Sequence, residues 1–246
     1  MMKQITTIPS GMKENGVNTF CPGCLHSSAM KLVYQALDEL GITDKATICI
    51  GVGCNANIRG YINVDHFGAP HGRACAVAGA FKRCRPDSFV ITHQGDGDLA
   101  AIGFAETIHS ANRGDNITVI FVNNGIYGMT GGQLAPTTLL GARTTTTPFG
   151  RKADEHGYPM HICEMLNTLE APSYIARVTT TDPANIRKAY KCVRDAFQHQ
   201  IDGKGFSIVE FVSNCPTNWG MTPLQSLDHI KNVVLNEYPL GVFRDK

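Results

Sequence analysis

The sequence predicts a doubly wound α/β fold, in which a mostly parallel sheet carries helices on both faces. Short apolar runs, such as residues 117–122 and 206–212, alternate with helical patterns, such as residues 29–40 and 184–197. Continuously apolar strands that alternate with helices are typical of parallel sheets covered on both faces. The 246 residues contain no internal repeat and no low-complexity linker. We therefore expect one domain over residues 1–246.

The first half of the chain predicts strands and helices in alternation. Residues 1–20 are polar and turn-rich and predict an extended arm. Gly41 stands where a helix C-cap is expected, and Pro86 stops a later helix. The elements expected here are helix 29–40, strand 47–51, helix 73–82, strand 88–92, helix 99–112 and strand 117–122.

The second half begins with a long connection, residues 125–160, rich in glycine, proline and threonine. Such a connection in a compact domain is usually functional or disordered. Asp182 is expected as the N-cap of the next long helix, with Pro183 at its first position. The elements expected after the connection are helix 164–169, strand 174–178, helix 184–197 and strand 206–212.

The composition limits the function classes. A formal net charge of +1 lacks the basic excess that is usual for nucleic-acid-binding proteins. No stretch approaches the roughly 20 apolar residues of a membrane span. The first residues, Met1 to Ile5, lack the apolar core of a signal peptide. We expect a cytoplasmic protein that binds neither nucleic acid nor membrane.

The most informative motif is Gly95-Asp96-Gly97, followed 28 positions later by Asn124. Each polar residue follows an apolar run, so both are expected at the carboxyl ends of neighbouring strands, where open α/β sheets bind ligands. The helix that starts between them would present its N-terminus to a phosphate. A carboxylate, an amide oxygen and a diphosphate suit Mg²⁺. A Gly-Asp-Gly alone would indicate only a turn, and the second half of the motif favours the magnesium-diphosphate site.

Four of the nine cysteines stand in loop contexts, beside glycine, proline or small polar residues: Cys21, Cys24, Cys54 and Cys215. A Cys-x-x-Cys pair in a cytoplasmic protein can be a redox dithiol, a zinc site or half of a cluster site. Two further loop cysteines would complete the four thiolates of a [4Fe–4S] cluster. Their expected place beside Asp96 favours the cluster. For most of the other five cysteines, we expect small buried side chains.

Together, the diphosphate motif, the segment that follows Asn124 and the motif Cys21-Pro22-Gly23-Cys24 resemble the beta subunit of a thiamine-diphosphate-dependent 2-oxoacid:ferredoxin oxidoreductase, of the 2-oxoglutarate or 2-oxoisovalerate type. The resemblance implies a thiamine-diphosphate-binding fold with an N-terminal cluster-binding arm, about residues 1–28. It implies Mg²⁺ ligation by Asp96, Asn124 and the carbonyl of Ile126, and a [4Fe–4S] cluster on Cys21, Cys24, Cys54 and Cys215. The implied cofactor contacts are Gly95, Asp96, Gly97, Asp98, Asn124, Ile126, Tyr127, Gly128, Met129, Thr130 and Gly131.

The resemblance also implies partners and a reaction. Related enzymes oxidatively decarboxylate a 2-oxoacid to the acyl-coenzyme A and pass electrons to ferredoxin. The glutamate that activates the cofactor comes from the alpha subunit, so the chain is expected to be active only with that subunit, and further small and ferredoxin-like subunits are expected. Glutamates of this chain that could replace it are Glu106, Glu155, Glu164 and Glu170.

His71 and Arg73 are the further catalytic candidates. Arginine can bind a substrate carboxylate or a phosphate in bidentate fashion, and the resemblance places His71 near the cofactor. Asn57 stands where some 2-oxoglutarate-using relatives carry a substrate-binding lysine. Two rival functions remain open: a non-redox thiamine-diphosphate decarboxylase subunit, and a subunit whose cysteines hold a structural zinc.

Overall fold

The computed structural model describes residues 8–246, and within them the strands are short and follow the apolar runs. Their bounds are β1 Ala46–Ile50, β2 Asp65–Gly68, β3 Phe89–Gly95, β4 Thr118–Asn123, β5 Ile126–Tyr127, β6 Gln133–Leu134, β7 Tyr174–Thr179, β8 Ser207–Val212 and β9 Gly241–Asp245.

Helices of the described residues mostly alternate with these strands up to β8, except that β4, β5 and β6 are consecutive and α4 and α5 are consecutive. After β8 the helices follow one another up to β9. The α-helices are α1 His26–Glu39, α2 Ala74–Cys84, α3 Phe104–Arg113, α4 Ala153–His156, α5 Ile162–Asn167, α6 Pro183–Ile201, α7 Pro216–Trp219, α8 Pro223–His229 and α9 Leu235–Glu237. Two 3₁₀ segments, Thr43–Lys45 and Cys54–Gly60, and two π-helical segments, Gly97–Ile102 and Ile230–Val234, complete the set.

Seven strands form one sheet in the order β2-β1-β3-β4-β8-β7-β9. All neighbouring pairs are parallel except β7 and β9, which are antiparallel. The predicted doubly wound, mostly parallel sheet is therefore confirmed. The chain runs outward from β1 to β2 and then returns to β3 on the other side. A crevice opens beyond the carboxyl ends of β1 and β3, because the connections of the two strands leave in opposite directions.

Two apolar layers hold the helices on opposite faces of the sheet. On one face α1 and α6 pack on β-strand residues such as Ile48, Ile91 and Val209, which are fully buried. On the other face α2, α3 and α5 pack on residues such as Val119 and Ile208. Successive strand residues point to opposite faces of the sheet, and helices cover both faces. The central strands are therefore largely apolar on both sides. This explains the continuous apolar runs of the sequence.

The expected helix 99–112 is interrupted, which corrects the prediction. A π-helical segment covers Gly97–Ile102, and α3 begins only at Phe104. The N–H of Gly103 donates to the carbonyl of Asp98 over 2.8 Å, five residues back. A Cβ at Gly103 would overlap the carbonyl of Gly72, so the close approach of that loop fixes the irregular turn. A regular helix would not leave room for it.

Several elements have little or no counterpart in the predicted list. Strand β2 is short and mostly exposed, and β9 pairs antiparallel at the end of the chain. The helices after β8 were also missed, although Thr222 and Gln225 form a capping box and Pro223 occupies the first turn of α8. The predicted N-cap Asp182 is confirmed, since its side chain accepts the N–H of Asn185 at 2.9 Å.

The described part of the N-terminal arm forms one isolated bridge, between Met12 and Ile62, and is otherwise irregular up to α1. The expected connection 125–160 contains the β5–β6 hairpin and α4. No helix within residues 8–246 combines the length and the apolar character needed to cross a membrane.

Candidate functional site

A cavity lies at the carboxyl ends of β1, β3 and β4, in the crevice that the sheet order creates. Most of the residues predicted as cofactor contacts meet there. The lining residues are His26, Val52, Gly53, Cys54, Asn55, His71, Gly95, Asp96, Gly97, Asp98, Asn124, Ile126, Tyr127, Gly128, Met129 and Thr130. The predicted residues Gly131 and Arg73 are not among them.

Asp96 is held in the cavity by three hydrogen bonds. Its Oδ1 accepts the N–H of Gly97 at 2.8 Å. Its Oδ2 accepts two donors, the N–H of Ile126 at 3.1 Å and the hydroxyl of Thr137 at 2.9 Å. Burial raises the pKa of Asp96 to about 6, although these hydrogen bonds act in the opposite direction. The carboxylate is thus held in one orientation, and Oδ1 has the fewer protein donors.

Asn124 faces the same point from the end of β4. Its Oδ1 accepts the N–H of Ile126 at 3.3 Å, so Asp96 and Asn124 share one donor. Gly125 has φ +68°, a left-handed conformation that glycine adopts without strain. This turn folds Ile126 back toward the two oxygen-bearing side chains. The two halves of the sequence motif therefore meet, as expected.

The start of the π-helical segment forms the floor of the cavity. A Cβ on Gly97 would overlap the ring of Tyr127, and the hydroxyl of Tyr127 donates to the carbonyl of Gly97 at 3.1 Å. Only glycine lets the ring lie so close. The first N–H groups of any helix lack partners within that helix. The helix N-terminus therefore offers donors and partial positive charge at the cavity.

Asp98 lines the cavity, but its oxygens are occupied by protein donors. Oδ1 accepts from His71 Nδ1 at 2.6 Å, from the N–H of Gly72 at 2.8 Å and from the N–H of Val52 at 3.1 Å. Oδ2 accepts from Gln94 Nε2 at 2.7 Å. Asp98 therefore ties the loops after β1 and β2 to β3. That Asp98 also contacts the cofactor stays a prediction.

The two catalytic candidates of the sequence are placed differently. His71 lines the cavity and is oriented by Asp98. Arg73 points away from it and pairs with Glu106 on α3, while the same guanidinium also donates to the carbonyl of Ile102. Its charge is already matched by a carboxylate. The structure therefore separates His71 from Arg73.

The four loop cysteines gather at one side of the cavity. A Cβ built at Gly128 would lie 3.2 Å from Cys54 Sγ and 3.5 Å from Cys215 Sγ. Burial, with smaller contributions from the charges of Cys215, Cys54 and Cys21, raises the pKa of Cys24 to about 12. Burial raises the pKa of Cys54 to about 11, again with added repulsion from Cys215 and Cys21. Four thiols thus share one neighbourhood, in which their thiolates would repel one another.

Within the described residues, no group of three or more His, Cys, Asp or Glu side chains is close enough to hold a single metal ion. The predicted magnesium site is not such a group, because it combines one carboxylate, one amide and one backbone carbonyl.

Thr137 is the most important site residue that sequence reasoning missed. It lies in the connection 125–160 and reaches Asp96 because a buried arginine clamps this segment. Arg151 is 5% exposed and donates to six backbone carbonyls, those of Ala135, Pro136, Thr138, His156, Gly157 and Tyr158. Tyr238 adds a bond from its hydroxyl to the Thr137 carbonyl at 2.9 Å. No pattern of neighbouring residues predicts so distant a partner for Asp96.

Comparisons with known proteins point to one family. A family profile described as "Thiamine pyrophosphate enzyme, C-terminal TPP binding domain" matches residues 51–211. The ketoisovalerate oxidoreductase subunit VorA of Methanothermobacter thermautotrophicus is 45% identical over 92% of this chain and 48% of its own length. The 2-oxoglutarate synthase subunit KorB of Methanocaldococcus jannaschii is 40% identical over 92% of this chain and 80% of its own. The chain thus spans about half the length of the VorA proteins that it matches.

A solved structure agrees with these sequences. The 2-oxoglutarate:ferredoxin oxidoreductase from Magnetococcus marinus, with 2-oxoglutarate, coenzyme A and succinyl-CoA bound, superposes with a TM-score of 0.83 at 28% identity. The match covers 100% of this chain and 87% of that chain. The fold, the match to the cofactor-domain profile and the similarity to the VorA and KorB subunits all point to the same family. The chain therefore belongs to the family of beta subunits of thiamine-diphosphate-dependent 2-oxoacid:ferredoxin oxidoreductases.

Proposed function

We propose that this chain binds thiamine diphosphate with Mg²⁺ and a [4Fe–4S] cluster, and that it works in the oxidative decarboxylation of a 2-oxoacid to its acyl-coenzyme A, with ferredoxin as electron acceptor. The observation that carries the proposal is the meeting of Asp96, Asn124 and Ile126 beside a helix N-terminus, at a cavity that Cys54 also lines. Cys215 lies next to Cys54 at Gly128, and Cys21 and Cys24 are near enough to act on these thiols electrostatically. We further propose that residues 1–246 form one cofactor domain with a cluster-binding arm, about residues 1–28, in the cytoplasm.

The magnesium site fits the donors that are present. Asp96 Oδ2 is filled by two protein donors, whereas Oδ1 accepts only the N–H of Gly97. Oδ1 is therefore the atom that we assign to Mg²⁺, together with Asn124 Oδ1 and the carbonyl of Ile126. Hard oxygen ligands and phosphate oxygens are what Mg²⁺ prefers. Thiamine diphosphate, when bound, would act as the electron sink for the carbon that loses carbon dioxide.

The remaining cavity residues would bind the thiamine part of the cofactor and its diphosphate. Gly95, Gly97 and the following turn lie at the helix start, and Tyr127, Gly128, Met129 and Thr130 form the opposite wall. Backbone donors at a helix N-terminus suit a diphosphate. We keep Gly131 as a proposed contact only with the bound cofactor, because it does not line the cavity.

The cluster fits the chemistry of the four thiols. Burial disfavours the thiolates of Cys24, Cys54 and Cys215, and neighbouring thiolates would also repel one another. Positively charged iron would remove that penalty. In a [4Fe–4S] cluster each thiolate binds a different iron, so the sulfurs need not converge on one ion. We propose Cys21, Cys24, Cys54 and Cys215 as these ligands. Their place beside the cavity would give electrons a short exit.

We propose that an alpha subunit completes the site. Glu106 pairs with Arg73, Glu155 with Lys152, and Glu164 with Arg177, while the side chain of Glu170 is fully exposed. None of these four glutamates of the described chain lines the cavity. A carboxylate that activates the cofactor is therefore expected from a partner. Further small and ferredoxin-like subunits are part of the same proposal.

The substrate class is a 2-oxoacid, either 2-oxoglutarate or a branched-chain 2-oxoacid. The similar proteins include a ketoisovalerate oxidoreductase subunit and a 2-oxoglutarate synthase subunit, at 45% and 40% identity. The family resemblance implies that Asn57 stands where some 2-oxoglutarate-using relatives carry a lysine, which would pair with a second carboxylate. This favours the branched-chain substrate.

The experiment is anaerobic purification of the native complex, followed by its absorbance spectrum and a panel of 2-oxoacids. We expect a broad absorbance near about 400 nm from thiolate-bound iron and sulfide, and reduction of methyl viologen that needs both a 2-oxoacid and coenzyme A. Colourless protein that contains zinc and releases carbon dioxide without reducing viologen would instead identify the rival, a non-redox decarboxylase subunit with a structural zinc.

A further inference from the structure

A buried carboxylate and a partly exposed imidazole form a pair at the cavity. Asp98 Oδ1 lies 2.6 Å from His71 Nδ1; the Asp98 side chain is fully buried, and that of His71 is 33% exposed. This inference rests on the proposed function. We propose that His71 is a catalytic residue that transfers a proton through Nε2 to the carbonyl oxygen of the 2-oxoacid, and that Asp98 is its positioning residue.

The carboxylate of Asp98 is fixed before any ligand enters. Two backbone N–H groups, from Gly72 and Val52, and the side chain of Gln94 donate to it at distances of 2.7 to 3.1 Å. These donors come from three separate segments of the chain. Asp98 therefore cannot rotate away from His71 without breaking contacts in all three, and the imidazole has one supported orientation.

The pair also fixes which nitrogen of His71 carries hydrogen. An ionised carboxylate only accepts hydrogen bonds, so the Nδ1 of His71 must be the donor. Nε2 is the nitrogen left to the cavity, and it holds a lone pair in the neutral ring and a hydrogen in the charged ring. A carboxylate that orients a catalytic imidazole in this way is a recurring arrangement. The other titratable side chains that line the cavity are His26, Cys54, Asp96 and Tyr127.

The proton transfer follows from the chemistry of the substrate. When the 2-oxo carbon is attacked, its carbonyl oxygen gains negative charge. The Nε2–H bond of charged His71 then breaks, an O–H bond forms on that oxygen, and the electron pair of the broken bond stays on Nε2. A neutral imidazole and a hydroxyl result, so charge and atoms balance. Asp98 holds the Nδ1–H throughout, which keeps Nε2 in place for the reverse transfer.

The first test measures the protonation of the two His71 ring nitrogens in the full chain without cofactor. Long-range hydrogen–nitrogen correlation spectra of the chain labelled with ¹⁵N-histidine report which ring nitrogen is protonated, and His71→Gln assigns the signals. We expect hydrogen on Nδ1 and none on Nε2 of neutral His71. Hydrogen on Nε2 would overturn the pairing. Because this readout needs no turnover, it stands apart from the proposed function.

The second test is steady-state kinetics of the native complex. We expect His71→Gln to lower kcat by about 100-fold or more, the scale of general acid catalysis, with thiamine-diphosphate affinity and thermal unfolding midpoint unchanged. His66→Gln is the matched control, since His66 is exposed on β2 and its Nδ1 lies 3.0 Å from the carbonyl of Val64. Wild-type kcat in His71→Gln would overturn the inference alone. A wild-type complex without 2-oxoacid-dependent viologen reduction would overturn the proposed function as well.

Discussion

At the scale of single residues, Asp96 combines two opposing effects. Burial disfavours its negative charge, while the N–H groups of Gly97 and Ile126 and the hydroxyl of Thr137 stabilise that charge. The outcome is a carboxylate whose direction is set by the protein and whose charge is incompletely compensated. A divalent cation at Oδ1 would supply the missing compensation. This supports the proposal that Asp96 binds a metal ion.

The first prediction concerns this carboxylate. Asp96→Ala removes the metal ligand, so the Kd for thiamine diphosphate with Mg²⁺ should rise by about 100-fold or more, roughly 2.7 kcal/mol. The variant also leaves buried donors without their acceptor, which should cost about 1–3 kcal/mol of stability without unfolding the chain. Calorimetric titration measures the affinity. Asp154→Ala, an exposed carboxylate on α4, is the control, and equal affinities of both variants would refute the assignment.

The second prediction separates two cysteines. Cys54 lies in the loop after β1, beside the cavity, whereas Cys192 lies in α6 within the core. Cys54→Ala should lose the iron and acid-labile sulfide of the cluster, and Cys192→Ala should retain both. Iron and sulfide are counted per chain after anaerobic purification. The ligand assignment is wrong if the two variants lose, or keep, the same amount.

The third prediction concerns acid stability. Burial lowers the pKa of His93 to about 3. The unfolded chain, with an ordinary pKa of about 6.5, binds more protons below that pH, so the free energy of unfolding falls as the pH drops. When the pH falls from 7.5 to 5.5, His93 alone should lower the free energy of unfolding by about 1.4 kcal/mol. Urea unfolding of the cofactor-free chain measures the difference.

The control for this measurement is His109, which is exposed on α3. His93→Leu should reduce the pH dependence, and His109→Leu should keep that of the wild type. An unchanged pH dependence in His93→Leu would mean that His93 takes up its proton in the folded state.

The sequence was sufficient to predict the site residues that lie at the ends of strands. Asp96 and Asn124 follow apolar strands, and parallel neighbours necessarily bring such residues to one edge. The contact of Thr137 with Asp96 and that of His71 with Asp98 could not be predicted in this way. The partners are 41 and 27 residues apart in the sequence, and the paths of the loops bring them together. The ion pair of Arg73 could not be predicted for the same reason. Its partner Glu106 lies 33 residues away on α3.

At the scale of elements, a buried ion-pair network joins the far side of the sheet to the site. Arg177 on β7 is fully buried and donates to Glu210 on β8 at 2.8 Å and to Glu164 on α5 at 2.6 Å. Glu210 also accepts from Asn123 at 2.7 Å, next to Asn124. Burial acts to lower the pKa of Arg177, but pairing with Glu164 and Glu210 outweighs it and raises the pKa. The network links the centres of β7 and β8 to the carboxyl end of β4.

The fourth prediction follows from this network. Arg177→Leu leaves Glu210 buried without its cation, so the free energy of unfolding should fall by about 3–5 kcal/mol. The double variant Arg177→Leu with Glu210→Leu should recover part of that loss, because no unpaired charge remains. Denaturant unfolding measures both. Lys191→Ala breaks an exposed pair with Asp195 and should cost less than about 0.5 kcal/mol. Equal losses for Arg177→Leu and Lys191→Ala would contradict the expected coupling.

The strands and long helices were predictable because burial dictates their composition. The apolar runs became β1, β3, β4, β7 and β8, with shifts of a few residues at most. Strand β2 was missed because three of its four residues are exposed and polar or small. The interruption at Gly103 was missed because its cause, the backbone of Gly72, lies elsewhere in the chain. Local sequence patterns thus predict the buried strands and helices. Interruptions such as the one at Gly103 are set by contacts between distant loops.

At the scale of the whole molecule, the cavity is built by one edge of the sheet, and apolar side chains lie exposed near it. Val52 is 41% exposed, Ile102 44% and Met129 52%. Val52 and Met129 line the cavity and Ile102 contacts the loop of Gly72, so these side chains surround its mouth. An exposed apolar rim around a polar site suits a protein partner. This agrees with the proposal that a second subunit covers the cofactor.

The fifth prediction is that the isolated chain, with its cofactor and cluster loaded, is catalytically silent. The activating carboxylate is expected from the alpha subunit, and without it the bound cofactor would lack its proton relay. The measurement is 2-oxoacid-dependent reduction of methyl viologen, with the complete complex as the control. Turnover of the isolated chain at the rate of the complex would place the carboxylate in this sequence, and Glu106→Gln would be the first variant to examine.

The Arg151 clamp has a consequence for how this protein can change over evolutionary time. Each of its six acceptors is a backbone carbonyl, and every residue type provides one. The clamp that keeps Thr137 on Asp96 therefore depends on the identity of Arg151 and on the path of the backbone, and not on the side chains of the six residues that accept its hydrogen bonds.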